Sequence, residues 1–226
     1  MDQFLNDAAS GAYERLVDRL MATRDYAERR ARDWLDLARY ADTRGFADDK
    51  MRQIWPYRDW VVRALHRNIP FDQFTIEQLA GDMLPNATDE QRIATGFHRN
   101  APQARGNTYP VEEYRLKGVT DRVNTTGKVW LGLTMECAAC HDHKFDPISQ
   151  KEYYQMSAFF NNVHELGMIG NDKNFGPLLP LPNAETETKL TKLSTKIEAL
   201  EDSIELTAIE IASIEDYLHT IQSEKI

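Results

Sequence analysis

The stretch Trp55–Pro70, WPYRDWVVRALHRNIP, decides the architecture. Tyr57, Trp60, Val61, Ala64 and Leu65 recur at the spacing that lines up one face of an α-helix, and no alternation of period two competes with it. Pro56 suits a first helical position and Pro70 stops the run. The same periodicity extends outward in both directions. Upstream, Tyr13, Leu16, Val17, Leu20 and Met21 form one apolar stripe with Ser10 placed to cap it, and Asp25-x-x-Glu28 opens a helix through Trp34, Leu37 and Ala38 towards Gly45. Downstream, Thr75-x-x-Gln78 and Thr88-x-x-Gln91 read as starts of two short helices. Pro110 starts a longer helix through Val123, interrupted around Thr125-Thr126-Gly127, and Ser149-x-x-Glu152 caps a helix carrying Tyr153, Met156, Phe159 and Phe160. The expected fold class is all-α: an irregular helical domain over residues 1–165, a Pro/Gly-rich linker over 166–182, and a long coiled-coil helix over 183–226. Polar or Pro-rich loops are expected at 101–110 and 164–183.

Composition narrows the partners. The chain has 226 residues, 42% of them hydrophobic, which is enough to build a real core. Its formal charge of −9, from 27 basic and 36 acidic side chains, repels phosphate backbones, so nucleic acid is not an expected partner. No run of apolar residues has the length needed to span a bilayer. The charge is unevenly spread: residues 183–226 hold ten acids against four lysines. That segment has no Pro or Gly and carries two interleaved seven-residue series, Leu190, Ile197, Ile204, Ile211, Leu218 and Leu193, Leu200, Thr207, Ile214, Ile221. Nine of these ten positions are aliphatic, the pattern of a coiled-coil seam. Such a helix needs a companion, expected in a second chain or in a missing C-terminal domain; folding back onto the globular part is the competing arrangement.

The chemistry concentrates in CAACHDHKFDP, Cys137–Pro147, which holds the only two cysteines. Cys137-x-x-Cys140-His141 has the spacing of c-type haem attachment: two thiols that add across the vinyl groups, followed by an imidazole that becomes the proximal iron ligand. The expected cofactor is one covalent haem c held by Cys137, Cys140 and His141. Three other readings compete: a disulfide or redox pair, without the βαβ surroundings of a thioredoxin-like site; a zinc site, without a second cysteine pair; and two buried thiols. His98, at the end of a short helix with Ile93, Ala94 and Phe97 on its apolar face, is the first candidate for a distal iron ligand, ahead of Met135, Met156, Met168 and His164. A helix-terminal His bonded to carbonyls is the alternative for that residue. His143, Asp142 and Asp146 are read either as a polar site near the iron or as loop structure, with Asp146 accepting backbone N–H bonds ahead of Pro147.

The segments WLDLARYADTRGF, WPYRDWVVRALHRNIPFDQFTIEQLAGDMLP, RIATGFHRN and DRVNTTGKVWLGLTMECAACHDHKFDPISQKEYYQMSAFFNN, taken together, resemble the planctomycete cytochrome-associated family. The resemblance covers about residues 13–165. It implies export, the haem motif at Cys137, Cys140 and His141, and an upstream cytochrome-c module with a second domain downstream of a coiled coil. It supplies no reaction. Arg44, Arg58, Asp59, His98, Arg99 and Asp121 lie inside these segments and are candidates for a working surface, with ion pairs that fasten helices as the competing role.

The opening MDQFLNDAASGAYERL has neither the basic nor the apolar region of a signal peptide. Haem attachment takes place outside the cytoplasm, so the expectation is a periplasmic or otherwise exported chain whose leader is absent from this sequence. The functional expectation is a c-type haem domain in electron transfer, with a cytochrome redox partner, or the redox part of a larger enzyme. The alternatives are a haem-dependent oxidase or peroxidase, a glycan-active enzyme using His98 or His143 with Asp146, and a coiled-coil assembly module.

Overall fold

The computed structural model describes residues 2–45, 49–102, 104–105, 111–163, 165, 168–169 and 178–202. The chain divides into two compact units, Met1–Leu179 and Pro180–Ile226. The first is helical: α1 (Asp2–Leu5), α2 (Ala12–Met21), α3 (Arg24–Leu37), α4 (Trp55–His66), α5 (Phe71–Ala80), α6 (Asp89–Ala94), α7 (Val111–Thr126) and α8 (Gln150–Phe160), joined by short 3-10 turns. Among the described residues, all-α is departed from by a parallel pair of two-residue strands, β1 (Ala104–Arg105) and β2 (Met168–Ile169), in the loops read as irregular, and by an isolated antiparallel bridge between Thr43 and Met51. In the second unit, residues 180–202 are described, and α9 covers 184–202 of them. Among the described residues, no helix is long and apolar enough to cross a membrane.

Two hydrophobic clusters organise the first unit. The larger takes Ala31 and Ala38 from and just after α3, Tyr57, Trp60, Val61 and Ala64 from α4, Phe74 from α5, Ala94 from α6, and Phe97. Alanines on the buried face of α3 let its backbone approach α4 closely, and Trp60 fills the space beyond, stacked 5.3 Å from Phe74. Gln78 is buried here, and its Oε1 accepts from both Tyr57 Oη and Trp34 Nε1 at 2.8 Å while its Nε2 donates to the Phe74 carbonyl. This amide satisfies two aromatic donors that the core would otherwise strand. The smaller cluster joins Val123 of α7, Met135, Ala138 and Tyr153 of α8.

Several local expectations shift for identifiable reasons. Helix α2 is capped at Gly11, not Ser10, and its apolar stripe stays exposed at Tyr13, Leu20 and Met21. Thr23, not Asp25, caps α3 by accepting from Tyr26 N, and α3 ends well before Gly45 because Arg39 turns left-handed (φ 58). Thr75 does not open a helix, since Pro70 starts α5 one turn earlier and Thr75 instead accepts from Trp130 Nε1 at 3.0 Å. Thr88 and Ser149 form complete capping boxes with Gln91 and Glu152. Past Thr126, α7 widens into a π-turn, Gly127–Leu131, where the sequence signalled an interruption. Pro110 and the heptad positions from Ile204 onward lie outside the described residues.

Candidate functional site

The Cys-x-x-Cys-His segment sits on a 3-10 turn, Met135–Ala139, between the π-turn and α8. At about three residues per turn, side chains three apart share a face. Met135 and Ala138 take the inward face and are buried in the smaller cluster, and Cys137 on the turn and Cys140 at its C-terminal cap lie outside that face. Both cysteines are free and exposed. Met135 is seated because position 127 is glycine: a Cβ there would stand 2.6 Å from Met135 Sδ. From the other side, α8 holds the turn through its last carbonyl, which accepts from Gln150 Nε2 at 3.2 Å and Tyr154 Oη at 3.0 Å on Ala139. The Cys137 carbonyl accepts from the N–H groups of Cys140 and His141, closing the turn.

His141 is exposed, and its Nδ1 lies 2.8 Å from the Asp142 carbonyl. A carbonyl can only accept, so Nδ1 carries a proton, which leaves Nε2 as the nitrogen that could hold a metal, the arrangement in which metal-ligating imidazoles are held. The Asp142 carboxylate accepts from Gln150 N at 2.7 Å, tying the loop to the first residue of α8. His143 turns the other way: its side chain is 5% exposed, and its Nδ1 accepts from Asp146 N at 2.8 Å and Phe145 N at 3.3 Å. Those bonds need an unprotonated Nδ1, so the 3.2 Å approach of Asp146 Oδ2 to the same nitrogen is not an ion pair in this geometry. The loop is therefore organised by His143, and the backbone N–H bonds expected on Asp146 are taken by its neighbour's ring. Among the described residues, no three His, Cys, Asp or Glu side chains gather to hold one metal ion. The cysteines and His141 are thus not arranged around a single point, as a tetrahedral ion requires.

His98 lies in the interior. Its Nε2 donates to the Leu79 carbonyl at 3.2 Å, and the ring packs between Phe97 and Phe160 at centroid separations of 5.4 and 5.2 Å. Its Nδ1 is buried without a partner. Burial, with Arg122 and Arg39 nearby, pushes its pKa down to about 4, so the ring is neutral at physiological pH. The carbonyl it bonds belongs to α5 and not to its own helix end. Met135 and Met156 belong to the smaller cluster. His164 and the side chain of Met168 lie outside the described residues.

Arg58, Asp59, Arg99 and Asp121 are paired. Arg58 meets Asp59 at 2.8 Å, Arg39 meets Asp121 at 2.6 Å, and Arg99 meets Glu165 at 2.9 Å. Glu165 also takes both Nη groups of Arg122. Sequence reasoning missed Glu165, Arg122, Arg52 and Gln78, because a polar residue that is to be buried looks the same in sequence as one left in water.

The model of the family PSCyt2, described as a protein of unknown function (DUF1549), matches residues 1–165. No curated protein and no solved structure matches the chain. The chain therefore belongs to PSCyt2, a planctomycete cytochrome-associated domain family of unknown function.

Proposed function

We propose that the first unit is an exported c-type haem domain that passes electrons, alone or as the redox part of a larger multidomain enzyme. One observation carries this reading: two free, exposed thiols stand on a 3-10 turn and at its C-terminal cap, followed by an imidazole whose Nδ1–H is tied to the Asp142 carbonyl. The residues fit the group. Cys137 and Cys140 would hold haem c by thioether bonds, and His141 would supply the proximal ligand through Nε2. When bound, the haem iron supplies one-electron transfer at a potential set by its axial ligands and exposure. The chain's own part is to keep the turn rigid before attachment, through the seat of Met135 and the α8 bonds to Ala139, and to hold the His141 proton on Nδ1. His98 stands as the distal candidate through Nδ1, the nitrogen without a partner. The stripe of α9, with Leu190, Leu193, Ile197 and Leu200 exposed, supports pairing of the second unit with another heptad helix, in a second chain or a downstream domain.

The test is to produce the chain behind an export leader in a host that matures c-type cytochromes, then weigh it intact and stain a denaturing gel for haem. The expected result is the added mass of one porphyrin, lost with Cys137→Ser plus Cys140→Ser. His141→Ala is expected to alter the visible spectrum and reduce haem yield. A chain of unmodified mass from a host that loads a control cytochrome would reject the reading.

A further inference from the structure

The peptide group between Asp142 and His143 has both of its polar ends engaged. Its carbonyl accepts from His141 Nδ1 at 2.8 Å, and its N–H donates to the Ile148 carbonyl at 2.8 Å. In a planar trans peptide these two groups point in opposite directions, so anchoring the N–H on Ile148 also fixes the direction in which the carbonyl is offered to His141. The residues on either side of this peptide are anchored as well. On one side the Asp142 carboxylate accepts from Gln150 N at 2.7 Å. Gln150 is the first residue of α8, so this N–H has no partner within its own helix, and a negative side chain is favourable at that end. On the other side the His143 ring accepts at Nδ1 from the N–H groups of Asp146 at 2.8 Å and Phe145 at 3.3 Å. Ile148 in turn donates its N–H to the Asp146 carbonyl at 2.8 Å, which ties the segment that receives the His143 N–H to the segment that the His143 ring holds.

An exposed imidazole is otherwise free to turn about its side-chain bonds and to carry its proton on either nitrogen. His141 is exposed, and the group that orients it is a main-chain carbonyl, whose aim depends on the backbone torsions at Asp142 and His143. A capping role for Asp142 does not account for its bond to Gln150, because Ser149 and Glu152 already form a complete capping box at the start of α8. We infer that Asp142 and His143 are positioning residues for His141: together they hold one peptide carbonyl that keeps the ring's proton on Nδ1 and leaves Nε2 for iron, the iron alone resting on the haem reading. Partners of this kind fix the orientation of a ligating imidazole and raise its basicity. The two side chains act from opposite ends of the same peptide, so removing either one frees the carbonyl.

The test is long-range proton–nitrogen NMR of the imidazoles in the full chain, prepared without haem and with its thiols reduced, at about pH 9, above the ordinary histidine range. The His141 signals are those missing from His141→Gln. Wild type should show Nδ1 as the protonated nitrogen and Nε2 as the bare one. Asp142→Ala and His143→Phe should each shift both nitrogens to the values of a histidine free in water, with the amide signals of α8 in place. Asp142→Asn keeps an oxygen for Gln150 N, and His143→Asn puts an amide oxygen as many bonds from Cβ as Nδ1 was, so both should retain the wild-type pattern. If His143→Phe fails to fold, as judged by circular dichroism, His143→Ser takes its place. The haem reading is tested apart from this, by the mass of the chain from a host that matures cytochromes. An unmodified mass beside the wild-type nitrogen pattern rejects haem and supports the positioning of His141; a loaded chain whose haem-free form lacks that pattern does the reverse. A wild-type His141 with its proton on Nε2, a pattern that survives Asp142→Ala or the loss of the His143 ring, or asparagine variants no better than Asp142→Ala would overturn the proposal.

Discussion

His98 shows how one buried side chain couples stability to acidity. Its folded pKa of about 4 lies below the ordinary 6.5, because burial disfavours the imidazolium and Arg122 and Arg39 repel it while Glu165 only partly offsets them. Between those two values the unfolded chain binds a proton that the folded chain refuses, so stability falls as pH drops through that window and is fully present above it. The total is about 3 kcal/mol, at roughly 1.4 kcal/mol per pH unit. His98→Gln keeps a donor for the Leu79 carbonyl and removes the titration. Urea unfolding across the window should give a flatter stability profile for the variant than for wild type; parallel profiles would show that the ring is not held neutral. The same neutral ring, with Nδ1 unpartnered, keeps His98 a candidate iron ligand. His141 and His143 show that sequence proximity does not settle such roles: two residues apart, one presents Nε2 to solvent and the other spends its lone pair on loop backbone.

Elements here are set by caps and by close crossings, and the two differ in how far they can be read in advance. The boxes at Thr88 and Ser149 were legible because cap and partner lie within one turn. Thr75-x-x-Gln78 has the same spelling, yet Gln78 is inside α5 and bonded to Tyr57 and Trp34, contacts set by tertiary packing and not by local spacing. Helix α3 ends at Leu37 rather than near Gly45, and Arg39, left-handed just past its end, is paired with Asp121, 82 residues away. The strand pair β1–β2 is two residues long, too short to show any alternation. Close crossings are equally silent in sequence. Gly81 follows α5 at a point where a Cβ would stand 2.2 Å from the carbonyl oxygen of Gln91, a main-chain atom that cannot swing aside. Gly81→Ala should therefore force α5 and α6 apart and cost at least about 2 kcal/mol, within the range of overpacked cores. Thermal unfolding checks it, and a variant as stable as wild type would mean that this crossing yields more easily than its geometry indicates.

At the scale of the whole molecule, the two units answer to different physics. The first has its own cores and buries Trp60, Tyr57, Tyr153 and Phe97 almost completely. The Cys-x-x-Cys-His motif was legible because its chemistry is local, whereas the buried arginines around Glu165 were not, since only the assembled fold reveals that they are withdrawn from water. The second unit is the reverse case: its heptads were plain in sequence, and the described part of α9 leaves Leu190, Leu193, Ile197 and Leu200 exposed. A helix with this stripe gains stability chiefly by covering it, at about 25 cal/mol for each square ångström of apolar surface removed from water. Ile197→Glu together with Ile204→Glu places two charges in the seam, where burial without partners is prohibitive. Sedimentation of the purified chain over a range of concentrations should be measured. Loss of whichever association the wild type shows, with the unfolding transition of the first unit unchanged, is the expected outcome. Association that survives both substitutions would place the contact elsewhere than on the heptad seam.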